Sequence, residues 1–442
     1  MAGMGLRRFW RALGPGLVTG AADDDPSGIA TYSQAGAQFG YALTWTMFLT
    51  LPFMAAIQII SAWIGWQTRQ GLARNIAREL PAPVLLMLVA LLVVANTINI
   101  AADLAAMGEA LRLVIGGPQV FYALMFGAVC VVLEVWLPYH SYAGLLKFLA
   151  LVLLFYVAAA FSVTIPWGEV ARATLIPKVS LDRDMILTIV AVFGTTISPY
   201  LFFWQASQEA EESRLSHRYK HAKDSHAEER HARKPRATKA ETTAARSRHF
   251  RHINTDTWIG MTFSNTVAFF IIVTTAATLH ANGITKVETA AQAAEALRPI
   301  AGNLAFILFS AGIIGTGLLA VPVLAGSAAY AAAETFGLRG SLELPASRAL
   351  GFYAIVGAAT LGGAALTATN IDAITMLFWS AVINGVAAVP IMAVMMWVVT
   401  RGKTADTLAL PRWIKILGWL ATVLMAIAVG LLIWSSVGGT KT

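Results

Sequence analysis

Long apolar stretches recur from one end of this 442-residue chain to the other. Each is long enough to cross a hydrocarbon core about 30 Å thick. The stretches are continuously apolar and do not alternate in period two, so they read as helices, not barrel strands. Composition agrees. The chain is 57% hydrophobic and 13% charged, where soluble domains run about 45–50% and roughly 25%. Mean hydropathy is +0.65. The pattern predicts an all-α polytopic membrane protein with about eleven transmembrane helices. The spans are TM1 at 14–38, TM2 at 42–66, TM3 at 83–113, TM4 at 119–137, TM5 at 143–166 and TM6 at 185–208. A charged loop to Asp256 follows, then TM7 at 257–281, TM8 at 301–334, TM9 at 347–368, TM10 at 372–399 and TM11 at 411–437.

The net charge of +8 does not point to nucleic acid, because the basic residues sit in loops between spans. Lys and Arg concentrate on the cytoplasmic side of membrane proteins. With residues 1–13 cytoplasmic, most of the 32 Lys and Arg fall inside, even with the long loop set aside. Eleven spans then put the C-terminus outside, in an inner (plasma) membrane. No cleavable signal pattern is evident after the short basic start. The single cysteine, Cys130, excludes an internal disulfide and reads as a small buried hydrophobe. The segment Ser213–His252 carries six of the eight histidines. It reads as a solvated, largely unstructured loop that reinforces orientation; a metal-sensing role is the alternative. No obligate protein partner is indicated; the bilayer is the partner that the pattern demands.

Two spans are interrupted at mid-depth. TM1 contains Asp23-Asp24-Asp25-Pro26-Ser27-Gly28, and TM6 contains Thr195-Thr196-Ile197-Ser198-Pro199-Tyr200. Proline removes a backbone bond and clashes with the preceding turn. Lipid cannot satisfy the freed groups, so such breaks persist where they line a cavity or lie buried in protein. TM1 and TM6 each open a run of five helices, 14–166 and 185–399, the second containing the basic loop 209–256. Interrupted segments at matching positions in two halves point to a transporter's central site. An odd number of helices per half makes the halves inverted relative to one another, and TM11 peripheral. Carboxylates at this depth cost at least about 2.5 kcal/mol each, which calls for a cation or water. The alternative places the break near the surface, with the acids capping a half-helix. Successive residues cannot all face one site, so Asp25 is the expected ligand, with Asp23 or Asp24 lining the approach.

The same residues carry a family resemblance. The Asp25-Pro26-Ser27-Gly28 turn follows Gly14-Pro15-Gly16 and precedes Gln34-Ala35-Gly36-Ala37-Gln38-Phe39-Gly40-Tyr41. This resembles the first helix of NRAMP transporters, with its Asp-Pro-Gly-Asn signature. Ala102-Asp103-Leu104-Ala105 resembles that family's Thr-Asp-Leu-Ala element, and Gly194 to Gln205 its TM6 segment around Met-Pro-His. The resemblance implies a LeuT-like fold with a 5+5 inverted repeat, a metal site between broken TM1 and TM6, and alternating access. It puts the ligating carboxylate on Asp25 and the backbone-carbonyl ligand on Thr195. The family's Asn ligand falls on Gly28, its Met ligand on Ser198 and its TM6 His on Tyr200. The TM3 Asp falls on Asp103, and the acids seven residues before and three after become Asn96 and Ala106.

These departures set an expectation about cargo. A thioether favours transition metals, and Ser198 in its place leaves an all-oxygen, roomier site. Mg²⁺ dehydrates reluctantly and keeps waters. The resemblance is therefore closest to the NRAMP-related magnesium branch, with Mn²⁺ also hard enough to fit. The metal is cargo, and no cofactor is implied. A proton relay needs a chain of titratable groups, and of the family's set only Asp103 remains, beside Glu109 in TM3. In TM10, Ser380 and Asn384 share a face and offer a further ligand or an interhelical hydrogen bond. Gln205 and Gln208 lie one turn apart as candidates for the exit, followed by Glu209, Glu211 and Glu212. Arg348 is a possible partner of Asp103 or a topology anchor. Two other functions stay open: a carrier of a small organic solute, and a proton-coupled Mn²⁺/Fe²⁺ symporter. No nucleophile–base, P-loop or metal-ligand His motif suggests an enzyme; His140 and His280 sit at span ends.

Overall fold

The computed structural model describes residues 19–438 except 21, 137–150, 229–238, 343, 369–370 and 404. The Gly14-Pro15-Gly16 run, the first part of TM5 and His140 lie outside the described residues. Among the described residues, eight helices are long and apolar enough to span a membrane. They comprise TM2 (Trp45–Thr68), TM3 (Ala82–Ile115), TM4 (Gln119–Trp136), TM6, TM7, TM8, TM10 (Ala373–Thr400) and TM11 (Arg412–Gly438). TM9 (Leu350–Leu366) is shorter and equally apolar. TM5 is described over Leu154–Ser162.

TM1 and TM6 are each in two pieces. TM1b spans Pro26–Phe39 after a bend at Asp24. TM6a spans Arg183–Thr196 and TM6b starts afresh at Pro199. The chain that follows departs from the loop reading. TM6b continues as helix to Glu228, and TM7 is one helix over Lys239–Thr278. The reason is local: the segment is rich in Ala, Glu, Lys and Arg, all strong helix formers. The sequence holds one proline there, Pro235, which lies outside the described residues.

Packing places the breaks at the centre. TM1b lies against TM7, TM10 and TM6a; TM3 lies against TM8, TM10, TM4 and TM9. TM8 (Ala305–Phe336) completes the wall behind TM3. TM11 packs on TM2, TM10 and TM6a and turns Ile416, Leu420, Val423, Ile427 and Trp434 outward. That stripe has helical spacing, and an exposed apolar stripe of this kind suits lipid. TM11 is thus at the periphery of the fold.

Small residues set the closest approaches. A Cβ on Gly194 of TM6a would lie 2.1 Å from the Ala381 carbonyl oxygen and 2.5 Å from the Gly385 nitrogen of TM10. A Cβ on Gly36 of TM1b would meet Thr275 Oγ1 at 2.1 Å, and one on Gly20 would meet the Gly260 backbone at 2.4 Å. A Cβ on Gly65 of TM2 would meet the Ala206 carbonyl of TM6b at 2.0 Å. Small-residue contacts of this type let membrane helices approach backbone to backbone. Gly194→Val should therefore lower the melting midpoint in detergent by several degrees, since overpacking costs about 1–3 kcal/mol. Gly357→Ala, where a Cβ meets nothing within 4 Å, should leave it unchanged.

Candidate functional site

A helix broken inside a membrane strands carbonyls at one end and amides at the other. Asp25 caps the N-terminus of TM1b. Its Oδ1 accepts from the Gly28 amide at 2.8 Å and from Ser27 Oγ at 2.6 Å. Pro26 takes the first helical position, where no amide is needed. Upstream, the freed Ala22 carbonyl accepts from the Tyr200 hydroxyl at 3.0 Å. At the other break, Ser198 Oγ donates to the Gly194 and Thr195 carbonyls at 2.8 and 2.9 Å, closing the end of TM6a. Pro199 then starts TM6b. The breaks touch: a Cβ on Gly28 would sit 3.2 Å from Thr195 Oγ1 and 3.3 Å from the Tyr32 ring.

The second oxygen of Asp25 faces the cluster. Its Oδ2 accepts from Asn99 Nδ2 at 3.1 Å and from the Tyr200 hydroxyl at 3.4 Å. Asn99 also donates to Asp103 Oδ2 at 3.3 Å, and its carbonyl accepts from Asn384 Nδ2 at 3.0 Å. TM1, TM3 and TM10 are thus joined through one asparagine side chain, and TM6 joins them through the Tyr200 contact with Asp25. Asp25, Asn99, Asp103, Thr195, Tyr200 and Asn384 are all buried, so the cluster is closed to both ends of the molecule. Asn384 Oδ1 and Asp103 Oδ1 have no hydrogen-bond partner. Buried polar atoms are ordinarily paired, so these are acceptors available to a cation.

The donor set is oxygen throughout: one carboxylate at the break, amide oxygens, a threonine and a second acid beyond Asn99. Among the described residues, no group of three or more His, Cys, Asp or Glu is arranged to hold an ion. The site therefore relies on neutral oxygens around Asp25. Such a set suits a hard cation that keeps part of its water.

The structure brings together Asp25, Gly28, Thr195, Tyr200, Asp103 and Asn384, with the Ser198 hydroxyl turned back onto the end of TM6a. It separates others. Asp23 and Asp24 turn to TM7, where Ser264 Oγ donates to Asp23 Oδ2 at 2.6 Å and to Asp24 Oδ1 at 3.1 Å. Asp23 Oδ1 and Asp24 Oδ2 are buried without a partner, so each acid keeps an acceptor beside the one that Ser264 engages. Asn96 donates to the Leu324 carbonyl at 2.9 Å and to Ser327 Oγ at 2.7 Å, fastening TM3 to TM8. Ser380 bonds its own helix at Leu377. Gln205 reaches Thr257 of TM7 and Gln208 reaches Tyr330 of TM8. They diverge and line no shared exit. Glu109 pairs with Arg112 and Arg348 is exposed, so neither meets Asp103. Asn99 and Ser264 were missed. Asn99 precedes Asp103 by four residues, on one helix face, and that spacing was the available signal.

A central buried polar cluster at two interrupted helices, one opening each half of the bundle, defines a membrane transporter of LeuT-like fold. A chain in the crystal structure of the Eremococcus coleocola manganese transporter superposes with TM-score 0.69 at 17% identity, over 98% of this chain and 90% of that one. Mhp1, a nucleobase-cation-symport-1 family transporter, superposes at 0.58 and 14% identity, over 96% and 92%. A family profile described as natural resistance-associated macrophage protein-like matches residues 16–435. The divalent metal cation transporter MntH of Yersinia enterocolitica is 31% identical over 320 residues, 69% of this chain and 68% of that protein. That of Klebsiella pneumoniae is 28% identical over 434 residues, 96% and 94%. The chain belongs to the Nramp family.

Replacing Tyr200 by Phe should strand the Ala22 carbonyl and lower the thermal midpoint, a buried unpaired acceptor costing about 1–3 kcal/mol. Asn99→Leu should lower it further, because it unpairs Asp25, Asp103 and Asn384 together.

Proposed function

We propose that this protein carries a hard divalent cation, Mg²⁺ or Mn²⁺, across the inner (plasma) membrane by alternating access. The N-terminus is cytoplasmic and the C-terminus outside. The observation that carries the reading is Asp25: its Oδ1 is held by bonds of 2.6 and 2.8 Å, while its Oδ2 makes only longer ones of 3.1 and 3.4 Å. The loosely held oxygen faces the cluster, and an entering cation takes it. Asn384 Oδ1 and the Thr195 oxygens complete the neutral part of the shell, with retained water at the remaining positions. No sulfur ligand takes part, because Ser198 stands where the family has Met. Relatives named as divalent metal cation transporters support the substrate class.

Movement is divided by the close approaches. Gly20 and Gly36 fasten both pieces of TM1 to TM7, Gly65 fastens TM2 to TM6b, and Gly194 fastens TM6a to TM10. The break at Ser198, which lies between TM6a and TM6b, is the point at which these units rotate apart and expose the cluster to one end at a time. Along TM3 a proton relay is thinly supplied: Asp103 is tied to Asp25 through Asn99, and the next acid, Glu109, is engaged by Arg112; the other buried carboxylate on that side, Glu134, sits on TM4. The carboxylate beside the cluster also opposes an anionic organic cargo.

Uptake of Mg²⁺ and Mn²⁺ into proteoliposomes containing an internal pH dye tests the reading. Cation entry without acidification, lost at least about tenfold in Asp25→Ala as expected for removal of a charged ligand, supports an uncoupled carrier. Mn²⁺ entry with acidification establishes a proton-coupled symporter instead. Absence of flux for both ions, with stabilisation by an organic solute in metal-free buffer, overturns cation transport. Ser198→Met should raise Cd²⁺ uptake relative to Mg²⁺, because a thioether prefers softer ions.

A further inference from the structure

At the end of the molecule where TM2 and TM6b leave the bundle lies a cavity of about 1040 Å³. Arg69 and Arg74 line it from the TM2 end, Arg214 from TM6b and Arg339 from the turn after TM8. Two acids share the wall, and both are already engaged. Glu334 accepts from the Gly71 and Arg74 amides at 2.7 and 3.1 Å, capping the short helix Leu72–Ile76. Glu211 accepts from the Tyr330 hydroxyl at 2.9 Å. Among the described residues, the guanidinium groups of Arg74, Arg214 and Arg339 make no hydrogen bond or ion pair, and all three residues are exposed.

We infer that this cavity is a binding site for a phosphate-bearing anion larger than orthophosphate. Guanidinium groups match phosphate oxygens in a two-pronged geometry and lose little of their weak hydration on pairing. Several arginines converging on a concave wall focus a positive potential that draws an anion and repels a cation. The cavity's volume is that of a drug-sized ligand pocket, about 300–1000 Å³. A nucleoside diphosphate or an anionic phospholipid headgroup fills it; a single phosphate does not. The bound anion bridges Arg214 on TM6b to Arg74 after TM2 and Arg339 after TM8. It thereby restrains the half-helix that carries Tyr200. That last coupling rests on the transport reading; binding itself does not.

The test uses the full chain in phosphatidylcholine nanodiscs with EDTA present, so that free metal does not compete for the probe. One arm titrates ADP and sodium pyrophosphate while following thermal stability and calorimetric binding. The other replaces part of the phosphatidylcholine with phosphatidylglycerol and adds no soluble anion. Stabilisation in the first arm identifies a soluble ligand and in the second a lipid headgroup; either supports the site if Arg214→Gln and Arg339→Gln, singly and together, weaken it. The double variant should weaken binding about tenfold or more, given the strength of charge-assisted pairs. Arg339→Lys should fall between, having the charge without the fork. Gel filtration verifies that each variant is folded, and Asp25→Ala should keep the full anion response. The site is overturned if neither arm stabilises the wild type, or if the variants respond as the wild type does.

Discussion

The bilayer's inability to hydrogen-bond a broken helix governs this structure. Cutting TM1 and TM6 at mid-depth frees backbone groups that would each cost several kcal/mol in hydrocarbon. The chain answers with side chains from the breaks themselves. Asp25 takes the Gly28 amide, Tyr200 takes the Ala22 carbonyl, and Ser198 takes the Gly194 and Thr195 carbonyls. These bonds are structural repairs, yet they also concentrate oxygen atoms at one point. Repairing the broken helices and gathering oxygen atoms at one point are one physical act.

Much of the fold was legible because hydropathy in a bilayer is a strong signal. The spans, the two interruptions and the peripheral TM11 follow from segment length and from proline position. The site was legible in part. Asp25 and Tyr200 flank prolines, and their role follows from the break. Asn99 lies in an unbroken stretch of TM3 with no local distortion to mark it, although the spacing to Asp103 was there to be read. Asp23 and Asp24 were legible as buried acids but their partner was not: Ser264, which donates to both, lies on another helix far along the chain. In the basic segment before TM7 the density of charge argues for a solvated coil, while its Ala, Glu, Lys and Arg favour helix, and helix propensity prevails over the described residues.

Asn99 differs from the other members of the cluster in reaching three of them. Its amide nitrogen serves Asp25 and Asp103, and its oxygen serves Asn384. An amide is suited to this place because it donates and accepts without adding charge. A carboxylate there would set a third acid beside two. The neighbouring Asn96 spends its nitrogen on TM8, so residues three apart on TM3 serve different interfaces: one positions the helix and the other tunes the site.

Bonding within the cluster is unequal. Both amide hydrogens of Asn99 are spent, on Asp25 and Asp103, while Asp103 Oδ1 and Asn384 Oδ1 accept from no donor. A buried pocket with acceptors in excess is a poor host for any group that must itself accept, and a better one for a group that brings donors or positive charge. The electrical sign of the bundle's centre is thus set by hydrogen-bond arithmetic as much as by its carboxylates.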